Sequence, residues 1–228
     1  MRWRNQLGRV LPPINRRCVT PPGELRPRPG RPILVASLMR SGTHLAIDLI
    51  LNNFAAYRHN PLYLDLDGYL LDGRAREPLL ACGAYVAKTH HPHRPVPADQ
   101  LEALRRFAAT AVVVTPVREA EAVSRSLASF GESETVAEVA AMQAQAQAFW
   151  AEWDPVAVDF AELTDWAGSA GFLARLAERA GVPVPARVVE NPPRSATGQV
   201  LWAKLWTRLL GSRAARINTT IQFDSTRS

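Results

Sequence analysis

The sequence predicts an α/β fold with three layers, in which helices cover both faces of a central parallel sheet. Short apolar runs rich in β-branched residues alternate with longer segments whose apolar residues recur at helical spacing. The run at residues 111–115, AVVVT, has no polar face, as is typical of a parallel strand buried on both sides. Three runs end near a cation, Arg40, Lys88 or Arg118. Because right-handed crossovers bring such strand ends to one edge of a sheet, we expect a single site there.

The length and composition predict one globular domain with tails. The chain has 228 residues, of which 47% are hydrophobic and 21% charged. We predict a Pro- and Arg-rich tail over residues 1–31, a folded domain over residues 32–215 and a C-terminal tail over residues 216–228. The net charge is +6, but the first tail carries eight Arg and one Glu, so the rest of the chain has a net charge of −1. Nucleic acid is therefore not expected as a partner of the fold.

Six prolines in residues 1–31 indicate an extended or disordered segment. We favour a solubilising arm, with peripheral contact to anionic lipid, to nucleic acid or to an acidic partner as alternatives. The sequence shows no secretory signal and no apolar stretch long enough to span a membrane, so a cytoplasmic location is expected. Cys18 and Cys82 lack metal-ligand spacing and are expected to be reduced.

A strand, a tight loop and a helix are predicted within residues 31–54, RPILVASLMRSGTHLAIDLILNNF. Residues 33–36 form the buried strand, and apolar residues from Leu45 to Phe54 keep helical spacing. Backbone N–H groups at the start of such a helix bind a phosphate or sulfate without a metal. The loop residues expected to bind the anion are Arg40, Ser41, Gly42, Thr43 and His44. The alternative is a strand–helix junction that turns on glycine and binds no ligand.

The loop differs from a Walker A sequence. If Gly42 is aligned with the second glycine of that motif, Thr43 replaces the lysine and His44 the magnesium-binding hydroxyl. The segment SLMRSGTHL at residues 37–45 instead resembles the 5′-phosphosulfate-binding loop of the sulfotransferases that use 3′-phosphoadenosine 5′-phosphosulfate (PAPS). The resemblance implies a P-loop NTPase-like fold, PAPS as co-substrate and no metal. Arg40 stands where the family usually has Lys.

The segment at residues 57–78 contains turn residues and aromatics, and we predict a long loop over the site. Its polar and aromatic residues include Tyr63, Asp65, Asp67, Gly68 and Tyr69. A surface excursion packed by its own aromatics is the alternative.

Residues 84–87 predict a short strand that leads into a cationic and histidine-rich turn. The segment AKTHHPHRP at residues 87–95 resembles the K-T-H-x-P segment of cytosolic sulfotransferases, which implies that His90 is the general base and that Lys88 lies near the sulfuryl group. A neutral imidazole near its unperturbed pKa can take a proton from an attacking hydroxyl. The alternative, a zinc site of His90, His91 and His93, lacks a clear carboxylate or thiolate partner.

A polar helix is predicted at residues 98–107, followed by the central strand at residues 111–115. The segment VTPVREAEAVSRSLASF resembles the 3′-phosphate-binding segment of the family, in which a Ser follows an Arg by eight positions. Arg118 and Ser126 keep that separation. A residue at a strand end and one two turns into the next helix can flank one phosphate. Ser124 and Arg125 are neighbours that could substitute for Ser126.

The last predicted elements are a helix at residues 134–153, a strand at residues 155–160 and a helix at residues 165–180 that ends at Gly181. The stripe of the first helix is expected to be Val136, Val139, Met142, Phe149 and Trp153. Asp159 is a candidate for holding the turn after the strand. Residues 200–210 form a basic amphipathic stretch, and residues 194–198 only weakly resemble the R-K-G loop that completes the nucleotide site of the family.

Across residues 32–160 the resemblance implies a PAPS-dependent sulfotransferase, and the chain length indicates a short bacterial-type member. Such an enzyme transfers the sulfuryl group to a hydroxyl, or less favourably an amine, of a small-molecule, glycan or lipid acceptor. His90, Lys88 and Arg40 are then the catalytic candidates, Arg40 acting by electrostatic stabilisation. A P-loop nucleotide kinase and a non-catalytic module that binds a nucleotide or a partner are the alternatives.

Overall fold

A parallel sheet forms the centre of the molecule. The computed structural model describes residues 17–18, 28–58, 63–71, 83–129, 131–191 and 209. Within them the strands are β1 (Arg17–Cys18), β2 (Ile33–Ala36), β3 (Tyr63–Asp65), β4 (Val86–Thr89), β5 (Val112–Val117) and β6 (Val156–Asp159). All neighbours pair in parallel, in the order β1-β3-β4-β2-β5-β6. The strand that precedes the predicted anion loop therefore lies in the middle of the sheet.

Helices cover both faces of this sheet. They are α1 (Thr43–Asn53), α2 (Leu66–Leu71), α3 (Leu101–Thr110), α4 (Ala120–Ala128), α5 (Val136–Trp150) and α6 (Trp166–Ala180), with 3₁₀ turns at Ala55–Tyr57, Ala98–Gln100 and Ala151–Trp153. Alternate residues of β2 face opposite ways, as strand geometry requires: Ile33 packs with α1 and α6, and Leu34 packs with α2, α3 and Trp150 of α5. The predicted three-layer α/β/α fold is confirmed.

Several predicted elements are confirmed with shifted ends. The strand predicted at residues 84–87 is Val86–Thr89, and the central strand continues through Pro116 to Val117. The helix predicted at residues 98–107 begins as a 3₁₀ turn and continues to Thr110. Helix α6 begins at its Asp165 cap and ends at Gly181 in a left-handed conformation, as expected.

The prediction of a long loop at residues 57–78 is wrong in its central part. Tyr63–Asp65 is a buried strand that pairs with both β1 and β4, and Leu66–Leu71 is a helix. Three residues are too few for a periodic pattern, and the two carboxylates of the segment resemble turn residues.

The predicted N-terminal tail contributes to the fold at several described positions, including Arg28, which forms a parallel bridge with Gly83. Arg17–Cys18 forms β1, and the guanidinium of Arg31 donates to the carbonyl oxygens of Thr110 and Ala111 at 3.3 and 2.9 Å. The hydroxyl of Tyr57 donates to the carbonyl oxygen of Arg31 at 2.6 Å. Part of the segment predicted as an extended or disordered tail therefore pairs with the sheet and packs on the domain.

The predicted stripe of α5 is only partly correct. Val139 is buried, but Val136 is 45% exposed, and Trp150 is buried although the stripe omits it. The helix changes partners along its length, because Val139 packs with α4 whereas Trp150 packs against the sheet.

Some predictions fall outside the described residues. These are the state of Cys82, the weak match at residues 194–198, the C-terminal tail at residues 216–228 and, apart from the exposed Leu209, the amphipathic stretch at residues 200–210. No helix in the described ranges combines the length and hydropathy that crossing a bilayer requires.

Candidate anion-binding site

The loop between β2 and α1 has a conformation suited to an anion. Arg40 and Gly42 both have positive φ angles, 68° and 111°, and Gly42 caps the start of α1. The first turn of α1 contains no acidic residue, and no side chain caps it. A compact turn with positive φ angles that leads into a helix N-terminus places backbone N–H groups at the positive end of the helix dipole.

Gly42 is required by its surroundings as well as by its φ angle. A Cβ at this position would lie 3.0 Å from Cδ1 of Leu163 and 3.2 Å from Cδ2 of Phe160. The turn therefore packs directly against the segment that follows β6. Glycine permits both the left-handed conformation and this close approach.

Two buried hydroxyls close the loop on itself. Oγ of Ser37 lies 2.6 Å from Oγ1 of Thr43, and both residues are less than 10% exposed. One hydroxyl donates to the other, so one of the two O–H protons remains to be donated elsewhere. Ser41 is also buried. The predicted loop residues thus share one compact turn.

Arg40, Arg118 and Ser126 meet beside this loop. Nε of Arg40 donates to Oγ of Ser126 at 3.0 Å, and Nη1 of Arg118 donates to the carbonyl oxygen of Arg40 at 3.1 Å. The end of β5 and the second turn of α4 are therefore brought to the loop, as the spacing of Arg118 and Ser126 predicts.

Phe160 and Gln143 hold Arg118 in place, and sequence reasoning missed both. The guanidinium carbon of Arg118 lies 4.2 Å from the centre of the Phe160 ring, and Nε2 of Gln143 donates to the Arg118 carbonyl oxygen at 2.6 Å. A stacked guanidinium keeps its charge while its plane is fixed. No sequence pattern links these residues, because they come from the segment after β6 and from α5.

His90 lies at the same edge of the sheet and is fixed as one tautomer. Its Nδ1 lies 2.8 Å from the carbonyl oxygen of Ser37, and the side chain is buried. Because a carbonyl oxygen only accepts, Nδ1 carries the proton, and in the neutral ring the lone pair is on Nε2.

Burial, and to a smaller extent the nearby charge of Lys88, lower the pKa of His90 to about 3. The expectation of an imidazole near its unperturbed pKa is therefore wrong, although the neutral form that a general base requires is retained. The physical reason is desolvation of the charged form in the closed site.

Lys88 has a carboxylate partner that the sequence did not reveal. Its Nζ lies 3.2 Å from Oδ1 of Asp65, and both side chains are more than 90% buried. Asp65 and Lys88 are directly opposite each other in the pairing of β3 with β4. Lys88 lies within the strand rather than after it, so its charge is balanced by the neighbouring strand.

Asp67 organises the backbone around His90. Oδ1 of Asp67 accepts from the Thr89 hydroxyl at 2.6 Å, and Oδ2 accepts from the His90 backbone N–H at 2.9 Å. Burial raises the pKa of Asp67, and the hydrogen bond from Thr89 opposes that shift. The pair of carboxylates in YLDLDGY is a signal that could have located this part of the site.

His44 and His91 have structural contacts. His44 is half-buried, with its Nε2 lying 3.5 Å from the Tyr63 hydroxyl, and the ring of His91 packs against Phe149 at 4.6 Å between centres. The His91 carbonyl oxygen accepts from the Trp150 indole at 3.0 Å. Among the described residues, no three His, Cys, Asp or Glu side chains gather into a group that could hold a metal ion.

A small cavity of about 30 Å³ lies below the loop, between the ends of β2 and β5 and one side of α5. Its lining includes Ser37, Ser41, Thr115, Gln143 and Trp150. This volume accommodates a water molecule.

The site combines two chemical properties at one edge of the sheet. The loop, Arg40 and Arg118 favour a bound anion, and His90 presents a neutral imidazole whose tautomer is set by the same loop. Comparisons with protein-family models, with curated proteins and with solved structures gave no match. Any functional assignment therefore rests on the site itself.

Proposed function

We propose that this chain is a sulfotransferase that moves the sulfuryl group of PAPS to a hydroxyl, or less favourably an amine, of a small-molecule, glycan or lipid acceptor. The observation that supports this best is the meeting of Arg40, Arg118 and Ser126 beside the loop that precedes α1. A nucleotide with an anionic group at both its 5′ and 3′ positions accounts for cations from two strand ends in one place.

In this proposal different elements of the fold bind the 5′-phosphate and the 3′-phosphate. The backbone and hydroxyls of the loop at residues 41–44 bind the 5′-phosphate, and Arg118 with Ser126 binds the 3′-phosphate. Arg40 neutralises charge on the sulfuryl group and the departing phosphate. Arginine suits electrostatic stabilisation better than acid catalysis, because its guanidinium does not readily release a proton.

His90 is the proposed general base. Its Nε2 takes the proton of the acceptor hydroxyl while the acceptor oxygen forms a bond to sulfur. The bond between sulfur and the bridging oxygen of the 5′-phosphate breaks, and adenosine 3′,5′-bisphosphate leaves with that electron pair. An anion beside His90 favours the imidazolium form and so raises its pKa during the reaction.

Lys88 has a more limited role in this proposal. Its ammonium is already paired with Asp65, so its electrostatic effect on a bound anion is partly cancelled. Arg40 and Arg118 therefore supply most of the positive charge that the nucleotide meets.

Calorimetric titration with adenosine 3′,5′-bisphosphate tests the nucleotide site, with ATP and magnesium run in parallel. We expect metal-independent binding to the wild type and roughly ten- to hundredfold weaker binding to Arg118→Ala, the loss typical of a charge-assisted hydrogen bond. Arg106→Ala, an exposed change on α3, is the matched control and should bind as the wild type does. Binding of ATP with magnesium alone would favour a nucleotide kinase, and binding of neither ligand a non-catalytic module.

Transfer itself is tested with ³⁵S-labelled PAPS and a panel containing a phenol, an aliphatic alcohol, a monosaccharide and an amine. His90→Ala should abolish transfer to the acceptor that the wild type uses and leave bisphosphate binding largely intact. If the variant instead loses the nucleotide, His90 is part of the binding site and not the base.

A further inference from the structure

Asp67 lies in the first turn of α2, beside the end of β4. The residue is 9% exposed, and its carboxylate contacts the segment from Thr89 to His91, where β4 ends. The anion site described above does not use this carboxylate.

Both carboxylate oxygens of Asp67 accept hydrogen bonds from Thr89 and His90. Oδ1 accepts from the Thr89 hydroxyl at 2.6 Å, and the His90 backbone N–H donates to Oδ2 at 2.9 Å and more weakly to Oδ1 at 3.2 Å. The Thr89 oxygen in turn accepts from the His91 N–H at 3.1 Å. One carboxylate therefore fixes the backbone of His90 directly and that of the next residue through Thr89.

The ring of His90 is fixed by a separate hydrogen bond, to the loop after β2. Its Nδ1–H donates to the Ser37 carbonyl oxygen at 2.8 Å, which belongs to the loop after β2. This bond forms only while the His90 backbone keeps the position that places the ring against β2. The two anchors together determine where Nε2 lies and which nitrogen carries the proton.

We infer that Asp67 is a positioning residue for His90, which it keeps in the Nδ1–H tautomer with Nε2 available to an incoming proton. The inference rests on the proposed function in one respect, since the use of that nitrogen as a base belongs to the proposal above. A carboxylate suits this position, because both groups that hydrogen-bond with Asp67 donate to it. An asparagine would direct an N–H of its own at one of them.

The experiment uses ¹⁵N NMR of the histidine side chains in the full chain, with His90 assigned by its loss in His90→Gln. In the wild type we expect the neutral Nδ1–H tautomer down to about pH 4, given the direction of the pKa shift. In Asp67→Asn we expect a mixture of both tautomers and a titration midpoint higher by at least about one pH unit, as the ring gains access to water. Asp99→Asn, an exposed aspartate after β4, is the control and should leave the His90 signals unchanged.

The inference is overturned if Asp67→Asn folds and His90 keeps its wild-type tautomer and midpoint. Thr89→Val provides a second test if Asp67→Asn does not fold. It removes only the hydroxyl link, leaves the bond between Asp67 and the His90 N–H, and should shift the same signals in the same direction by a smaller amount. Unchanged His90 signals in Thr89→Val, with Asp67→Asn unfolded, would also overturn it.

Kinetics separates this inference from the proposed function. On an acceptor that the wild type sulfates, Asp67→Asn should lower kcat by about a hundredfold and leave the KM for PAPS within about twofold, because misplacing a base affects the transfer step. If the wild type binds no adenosine 3′,5′-bisphosphate, the proposed function fails, whereas the NMR result still decides whether Asp67 positions His90.

Discussion

His90 is the residue in which burial and hydrogen bonding have the most direct chemical effect. The Ser37 carbonyl oxygen selects the Nδ1–H tautomer, and burial keeps the ring neutral. In the proposed sulfotransferase, a buried neutral base is weak until the anionic nucleotide binds beside it, so proton transfer is favoured only when the site is filled. This coupling would limit unproductive protonation of the free protein.

The lowered pKa of His90 predicts a pH-dependent stability. The folded pKa is about 3 and the unfolded value about 6.5, so the stabilisation is fully present above pH 6.5 and is lost as the pH falls toward 3. Asp67 has the opposite effect on stability at low pH. Because its pKa is raised in the folded state, the native state takes up a proton more readily than the unfolded state, which favours folding as the pH falls.

Urea unfolding between about pH 4 and pH 6 isolates the contribution of His90. The wild type should lose stability with falling pH more steeply than His90→Asn, by up to about 1.4 kcal/mol per pH unit. His91 and His93 also have lowered pKa values, but they remain in both proteins and cancel in the comparison. Equal slopes would show that His90 is accessible to protons in the folded state.

Gly42 and Gly131 form a matched pair for measuring close contact at the loop. Both have positive φ angles, 111° and 86°, but no described atom would lie within 4 Å of a Cβ at Gly131. Gly131→Ala should cost about 1–2 kcal/mol of left-handed strain, and Gly42→Ala should cost at least about 1 kcal/mol more, because Leu163 and Phe160 must move. Urea unfolding measures both variants, and equal costs would show that the turn has room.

At the scale of elements, the pairing of β3 with β4 places a buried ion pair next to the site. Asp65→Asn should destabilise the fold by about 3–5 kcal/mol, because it leaves the Lys88 ammonium buried without its partner charge. Asp65→Asn combined with Lys88→Met should recover much of this loss. Glu121→Gln breaks a well-exposed pair with Arg125 and should cost less than about 1 kcal/mol. Urea unfolding measures the free energy of unfolding of each variant. Similar losses for Asp65→Asn and Glu121→Gln would contradict a buried pair of Asp65 and Lys88.

The same two strands show how far the sequence could predict the fold. The apolar runs that form β2 and β5 are detectable because all of β2 and the first three residues of β5 are buried. The eight-residue spacing selected Arg118 and Ser126, which both contact Arg40. Strand β3 has only three residues, one of them Asp65, whose partner Lys88 is adjacent only through strand register. Cross-strand pairing of this kind has no signal along the chain, so the two carboxylates were visible in the sequence but the partner of Asp65 could not be predicted.

At the scale of the whole molecule, the candidate site and the structural contacts of Arg31 lie at opposite ends of the sheet. The carboxyl ends of β2, β4 and β5 carry the loop, His90 and Arg118. At the amino ends, the guanidinium of Arg31 donates to the carbonyl oxygens of Thr110 and Ala111 at the end of α3. The site residues gather at one edge because the carboxyl ends of all strands in a parallel sheet lie on the same side.

The position of the candidate site at the carboxyl ends of the strands predicts where a bound nucleotide slows amide hydrogen exchange. Adenosine 3′,5′-bisphosphate should slow exchange in peptides that cover residues 37–46 and 118–127, because binding stabilises their local structure. Peptides that cover residues 101–111, a helix that runs away from the site to the opposite end of the sheet, should exchange as before and serve as the internal control. Arg118→Ala should lose the protection in both site peptides together, since Arg118 bonds to the loop through the Arg40 carbonyl oxygen. Protection of residues 101–111 alone, measured by mass spectrometry, would place the ligand at the amino ends of the strands and contradict the site.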